Sequence, residues 1–232
     1  MPPIHEDGLI SIMGKALSRL QSSQMQSHFD RNQVIWDMLE SLAWRMTPVM
    51  SIVCSNLWLF SPIIKIVFTN LSAGAAALVR TTTAITVISG GVKTNVLPNS
   101  VKAYVNHRIH PNDTLEDVLN HDRNAIKDER IQIRNVGFTP HSPKSSTDVL
   151  AYNWIQRTVQ VVYGCPTAPM LMTGNTDTRH YWDLSKNIYR FTPCELHISE
   201  TKMFHGLNER IKIESIAKAV DFFESFILLS CS

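Results

Sequence analysis

The feature that most constrains the fold is an abrupt change in side-chain pattern near residue 80. From residue 8 to 78, apolar residues are mostly spaced as in helices, with helix ends predicted near Pro48, Pro62 and Gly74. From Arg80 to Ser89 the chain is rich in Thr, Ile and Val, whose branched side chains pack well on a pleated sheet. This change predicts helices that cover a sheet, and not an all-helical bundle.

The segments after residue 90 extend the strand pattern. Gly90 and Gly91 predict a turn, and the residues from Pro111 predict the start of a helix capped by Asp113 or Thr114. Further strands are predicted at 92–97, 101–109 and 130–136. The order helix, strand, strand, helix, strand predicts an α+β domain in which helices cover one face of an antiparallel sheet.

A connector rich in Pro and Ser, residues 137–146, marks the predicted domain boundary. The first domain is then 1–136, with a helical insertion at about 30–80, and the second domain is 137–232. The second domain alternates predicted helices and strands, which indicates α/β layering. Its helices are expected at 147–163, capped by Ser146 or Thr147, and at 211–229, and its strands at 168–172 and 188–191.

Composition excludes several classes of function. Lys and Arg number 22 and Asp and Glu number 20, so the net charge of +2 gives no electrostatic reason to expect a nucleic-acid partner. The four cysteines form no CxxC pair, which argues against a zinc ribbon or a thioredoxin-like site. The N-terminal residues lack the basic start and apolar centre of a signal peptide.

The apolar stretch from Val49 to Phe68 has two interpretations. It contains Asn56, Pro62 and Lys65, whereas a membrane-spanning helix needs about 20 mostly apolar residues. The favoured interpretation is one or two buried or surface-docked helices, broken at Pro62. Contact with a membrane interface is the alternative.

Six short segments carry a further signal through their order along the chain. They are Arg80–Ala84, Gly91–Pro98, Asn106–Pro111, Gly174–Arg179, Ile188–Phe191 and His205–Glu209. In this order they resemble the zinc peptidase family of aminoacylase-1, carboxypeptidase S and carboxypeptidase G2. The resemblance is strongest to its animal N-fatty-acyl-amino-acid synthase/hydrolase group.

The resemblance implies a hydrolase of N-acyl amino acids or short peptides that uses two zinc ions and a Glu as general base. It implies an α/β catalytic domain interrupted by a smaller lid domain, here 1–136, that forms homodimers. Relatives are secreted or enter the secretory pathway. Zinc suits such chemistry because it lowers the pKa of its bound water and polarises the scissile amide carbonyl.

By this resemblance, three positions gain specific roles. His205 matches the final zinc ligand, and Gly206 would let its loop approach the metal, although an isolated loop histidine is otherwise an ordinary surface residue. Asn95 and Arg108 match lid positions that meet the substrate's carboxylate or carbonyl oxygen. A salt bridge on the strand surface is the alternative role of Arg108.

The remaining substrate-binding candidate is the turn that contains Gly174, Asn175, Thr176, Asp177 and Arg179. Backbone N–H groups at the start of a helix hold anions, and Arg179 would add a positive charge. An ordinary capped helix start, with Asp177 in its first turn, is an equal alternative.

The family's first zinc His, its bridging Asp, its paired Glu residues and its next acidic ligand have no match in this sequence. A catalytic zinc needs about three protein ligands and one open position. We therefore expect an incomplete chain that contains no catalytic residue and has no hydrolase activity alone. The alternative is a non-catalytic interaction or dimerisation module of the lid type.

Overall fold

A computed structural model describes residues 8–31, 33–172, 174, 176–204 and 206–231. The chain divides into two compact units. The first unit comprises the described parts of Met1–Ala43 and Thr47–His141, and the second comprises those of Trp44–Met46 and Ser142–Ser232.

The first unit begins with a series of helices, as the spacing of apolar residues predicts. They are α1 Leu9–Ser22, α2 Val34–Leu42, α3 Pro48–Ser55, α4 Leu57–Leu71 and α5 Ala73–Ala77, with a 3-10 turn, Ala43–Arg45, after α2. The break predicted at Pro62 is wrong, because this proline lies inside α4. A proline removes a single backbone hydrogen bond, which the rest of a 15-residue helix tolerates. The break lies instead at Asn56.

Among the described residues, no single helix is long and apolar enough to cross a membrane. Helices α3 and α4 pass that test of length and composition only as a pair, and the chain bends by 111° between them.

The sheet of the first unit is an antiparallel hairpin of β1, Thr82–Gly90, and β2, Val101–Arg108. A Cβ on Gly90 would lie 2.8 Å from Cγ2 of Val101, and Gly91 has a φ of 83°, so both glycines suit the predicted turn. The predicted strand at 92–97 is wrong, because this segment forms the exposed connection between the two strands.

Helix α6, Leu115–Ile126, completes the first unit and begins at the predicted cap. Thr114 and Asp117 form a capping box, in which each side chain bonds the other residue's backbone N–H. The core that joins α1, α6 and the sheet contains Ala16, Leu20 and Ile126, packed against Val105, Ala125, Ile131 and Ile133. The segment 130–136 is irregular where a strand was predicted, since a strand needs a paired neighbour and no described segment pairs with it.

The second unit is built on α7, Leu150–Tyr163, and α8, Ile213–Ser230, which pack through Ile155, Val159 and Phe222. The cap predicted at Ser146 or Thr147 is wrong, because α7 starts after Val149, which makes no side-chain cap. The Ser146 hydroxyl instead accepts a hydrogen bond from the Asp148 N–H at 3.1 Å. The strands predicted at 168–172 and 188–191 are irregular in the structure.

Candidate functional site

The two candidate positions of the first unit lie at opposite ends of the β1–β2 hairpin. Asn95 is exposed in the connection, and Leu97 of the same loop lies 3.9 Å from where a Cβ on Gly8 would be, at the start of α1. Arg108 ends β2, opposite Thr82. The strand between Val101 and Arg108 spans about 23 Å at 3.3 Å per residue. Within one chain, a small carboxylate therefore cannot contact both side chains.

Arg108 lies on the open face of the sheet. Side chains alternate in exposure along β2, so Tyr104, Asn106 and Arg108 point away from the face that α1 and α6 cover. The guanidinium group is therefore placed where an incoming ligand can reach it.

The candidate turn of the second unit differs from both of its predicted forms. Asn175 lies outside the described residues, and the residues Asp177–His180 form only a four-residue 3-10 helix. Thr176 precedes this helix but does not cap it, and its hydroxyl lies 2.7 Å from that of Thr178. Neither an α-helix nor a side-chain cap is present, so any anion site here depends on side chains such as Arg179, which is exposed.

Arg190 is a half-buried cation next to this turn, and the sequence analysis assigned it no role. Its Nε and Nη2 atoms donate hydrogen bonds to the Thr178 hydroxyl at 3.1 and 3.0 Å. Burial lowers the pKa of the Arg190 guanidinium. The ion pairs among the described residues do not include it. The sequence signal that could have identified Arg190 is its position as an arginine within the apolar segment Ile188–Phe191.

His205 itself lies outside the described residues, but its neighbours form an exposed turn. The Gly206 N–H donates to the Met203 carbonyl at 2.9 Å, and Asn208 has a φ of 59°. Across the described part of the chain, no three His, Cys, Asp or Glu side chains are placed to hold one metal ion. The described residues therefore do not form a complete zinc site by themselves. Gly174, Thr176 and Asp177 belong to no such group of ligands.

A buried polar network in the first unit was also missed by the sequence analysis. Asp113 accepts hydrogen bonds from Nε2 of His28, at 2.7 Å, and from the Thr81 hydroxyl. The His110 N–H donates to the Thr81 hydroxyl at 2.8 Å, and the His110 ring stacks on His28 with centroids 5.1 Å apart. Burial, reinforced by the neighbouring His28, lowers the pKa of His110 to about 4. Such a network fixes the loop after α1 to the start of the sheet.

A second histidine–aspartate pair joins α6 to the sheet. The His107 Nε2 atom lies 3.0 Å from the buried carboxylate of Asp122, and its Nδ1 atom lies 3.1 Å from the Thr83 hydroxyl. The Asp122 carboxylate also lies 3.4 Å from Nδ1 of His121. The Nε2 atom of His121 lies 3.1 Å from the Ser23 hydroxyl. All of these groups are paired within the unit, which is the arrangement of a structural network.

Known proteins match nearly all of the chain. The profile of the M20 peptidase dimerisation domain matches residues 7–133. The N-fatty-acyl-amino acid synthase/hydrolase PM20D1 of Xenopus tropicalis is 41% identical over 229 residues, which are 98% of this chain and 44% of that protein. The human PM20D1 protein of the same description is 36% identical and covers 92% of this chain and 43% of its own length. The probable carboxypeptidase S-like 2 of Dictyostelium discoideum is 34% identical over 95% of this chain and 42% of that protein.

The structural comparison agrees in fold. The M20 family metallo-carboxypeptidase Sso-CP2 from Sulfolobus solfataricus superposes with a TM-score of 0.53 at 14% identity, over 98% of this chain and 53% of that chain. The chain spans less than half the length of the curated relatives it matches. These matches confirm the zinc-peptidase resemblance and the α+β lid fold. Because the dimerisation-domain profile covers more than half of the sequence, this chain belongs to the M20 peptidase family.

Proposed function

We propose that this chain forms part of a metal-dependent amidohydrolase acting on N-acyl amino acids or short peptides. It would supply the lid domain, 1–136, and the C-terminal portion of the catalytic domain, 137–232. The observation that carries the proposal is the 41% identity to an N-fatty-acyl-amino acid synthase/hydrolase across 98% of the chain. Hydrolysis of the amide consumes one water and releases a fatty acid and an amino acid, and synthesis is the reverse.

In this proposal His205 is one of the ligands of a two-zinc site. When bound, zinc polarises an amide carbonyl and activates water. The substrate's carboxylate would bind to Arg179, which is exposed in the turn after Thr176, and Asn175 would assist it. Asn95 and Arg108 lie too far apart to hold one carboxylate together, so we assign them to different parts of a substrate or to different bound molecules.

We further propose that the 232-residue chain is inactive by itself. A catalytic zinc takes about three protein ligands. His205 is the one family ligand matched here, and the described residues offer no cluster that would supply the others. The remaining ligands and the general-base Glu would have to come from protein outside this sequence.

Complementation tests this proposal. The chain would be co-expressed with the portion of the Xenopus tropicalis relative that it does not match, and the release of laurate from an N-lauroyl amino acid would be measured. We expect turnover from the combined segments and loss of at least 100-fold for His205→Ala, since a zinc ligand is removed. Replacing the exposed His197 by Ala is the matched control. Full activity of the His205→Ala protein would contradict the assignment of His205.

The match to a dimerisation domain favours a second candidate function, a non-catalytic pairing module. In that case the chain would form dimers with itself or with a full-length relative, and no combination of segments would produce hydrolysis. Light scattering on the purified chain, together with the complementation assay, separates the two: a dimer with no turnover in any combination favours the module.

A further inference from the structure

Helices α3 and α4 expose nine large apolar side chains, which we call the α3–α4 surface. Trp58 is 73% exposed, although tryptophan is a large residue that folded proteins mostly bury. The members of this surface are Val49, Met50, Ile52, Trp58, Leu59, Ile63, Ile66, Val67 and Leu71. Large exposed apolar side chains that lie close together mark sites of contact with other molecules or with membranes.

The same helices also bury apolar side chains on their inner side. Cys54, Leu57 and Ile64 are buried inside the first unit. Helix α4 is therefore apolar on its inner and its outer sides, whereas an ordinary surface helix keeps a polar outer face. Packing within the unit explains the inner side and leaves the outer side without an explanation.

Charge identifies what can cover the outer side. Between Glu40 and Asp113 the sequence contains no Asp or Glu, while it contains Arg45, Lys65, Arg80, Lys93, Lys102 and Arg108. Lys65 lies within α4 itself. The preceding carboxylate, Glu40, belongs to α2 and accepts a hydrogen bond from Nε1 of Trp36 at 2.7 Å. Helices α3 and α4 themselves therefore contain one cation, Lys65, and no carboxylate.

We propose that the α3–α4 surface docks on the surface of an anionic lipid bilayer. Exposed tryptophan and aliphatic side chains enter the boundary between headgroups and acyl chains, and basic residues pair with anionic lipids. The 111° bend between the helices suits an interfacial position, in which the two helices lie along the membrane without crossing it. This interaction goes beyond the proposed hydrolysis and does not depend on it.

A second copy of the chain fits this surface less well. A symmetric dimer brings the same patch of each copy together, so Lys65 would approach the other copy's patch, which provides no carboxylate from residues 41–112. An anionic bilayer supplies the missing negative charge.

Vesicle sedimentation tests the proposal on the 232-residue chain. Vesicles of phosphatidylcholine alone would be compared with vesicles that contain 30% phosphatidylserine. We expect at least fivefold stronger partitioning into the anionic vesicles, reduced when NaCl is raised from about 50 to 500 mM because salt screens the attraction. Equal binding to both vesicle types, or none, would overturn the proposal.

Paired variants locate the contact. We expect Trp58→Ser and Ile66→Asp each to lower partitioning at least tenfold, and Lys65→Glu to lower it about fivefold on anionic vesicles only. Val161→Ser and Ile213→Asp, at residues that are 77% and 80% exposed in the second unit, are matched controls expected to change it less than twofold. The changed side chains are exposed or, for Lys65, half-buried, and circular dichroism checks that helix content is retained.

Two outcomes would contradict the proposal that the α3–α4 surface makes the contact or that a lipid bilayer is the partner. Equal losses in the control variants would mean that the chain adsorbs without a defined surface. A change from dimer to monomer in the Ile66→Asp protein, with vesicle binding unaffected, would assign the α3–α4 surface to a second copy.

Discussion

The two units of this chain are stabilised in different ways. In the first unit, helices cover a sheet, and buried polar groups such as Asp113 and Asp122 find partners within the unit. In the second unit, two helices pack around Phe222, and the described residues between Gly164 and Lys212 form short 3-10 turns and otherwise irregular structure. Buried carboxylates with partners therefore characterise the first unit, whereas the core of the second unit is an aromatic cluster.

The strongest test of this comparison is Phe222→Ala. Phe222 is 2% exposed, and its ring lies 5.1 Å from that of Phe191 and 5.9 Å from that of Phe226. We expect the free energy of unfolding of the second unit to fall by about 3–4 kcal/mol, because a large buried ring is lost. Hydrogen exchange would show faster exchange in α7 and α8 and little change in α1 and α6.

Phe223→Ala is the control for that variant, since Phe223 is its neighbour in sequence but is 51% exposed. It should cost less than about 1 kcal/mol. Equal losses for the two phenylalanines would show that the aromatic cluster does not hold the second unit together.

In the first unit, Asp113→Ala should lower the free energy of unfolding by about 2–3 kcal/mol. It removes the acceptor of the hydrogen bonds from His28 and Thr81 and leaves the buried Thr81 hydroxyl and the half-buried His28 ring without that partner. Chemical denaturation measures the loss. Glu116→Ala, at an exposed carboxylate of α6, should stay within about 0.5 kcal/mol, and a similar cost at both positions would contradict a role for the buried network.

Acid should weaken the first unit through His110. Its pKa is lowered to about 4 in the folded protein, against about 6.5 in the unfolded chain, so the unfolded state binds more protons between these values. The contribution is complete above pH 6.5 and is lost as the pH falls towards 4. We expect a loss of about 1–2 kcal/mol after solvent screening.

His110→Asn is the matched variant for the acid effect. Its side-chain oxygen can accept the Asn112 N–H bond that Nδ1 of His110 accepts at 3.2 Å, but it does not titrate. The stability of this variant should fall less steeply between pH 6.5 and 4. An unchanged slope would show that other groups cause the acid sensitivity.

The smallest expected effect is that of Thr114→Ala, about 1 kcal/mol, because it removes the hydroxyl that accepts the Asp117 N–H at the start of α6. Thr114→Ser retains the hydroxyl and should cost far less. Thr114→Ala should also raise the pKa of Asp117, because hydrogen bonds from Thr114 lower that pKa in the folded protein. Titration of the Asp117 carboxylate by NMR checks this directly, and an unchanged pKa would contradict the capping box.

Local patterns predicted much of the first unit. The β-branched residues of Thr82–Gly90, the cap at Thr114 and the apolar spacing of Leu9–Ser22 each act within a few residues, so the sequence shows them directly. The segment 92–97 was misassigned, because Val92, Val96 and Leu97 look like a strand although a strand also needs a paired neighbour.

Long-range pairing could not be predicted in the same way. His28 and Asp113 are 85 residues apart, and Arg190 and Thr178 are 12 residues apart across an irregular segment. No local pattern brings such pairs together, because tertiary folding decides which polar groups meet. His205 was assigned a role by resemblance alone, and that role stays a prediction.

We propose that this chain carries one ligand of a shared zinc site and is inactive alone. The most direct test is elemental analysis of zinc in the purified 232-residue chain, together with its hydrolysis of an N-lauroyl amino acid. We expect far less than one zinc per chain and no turnover. One or two tightly bound zinc ions per chain, with turnover, would contradict it.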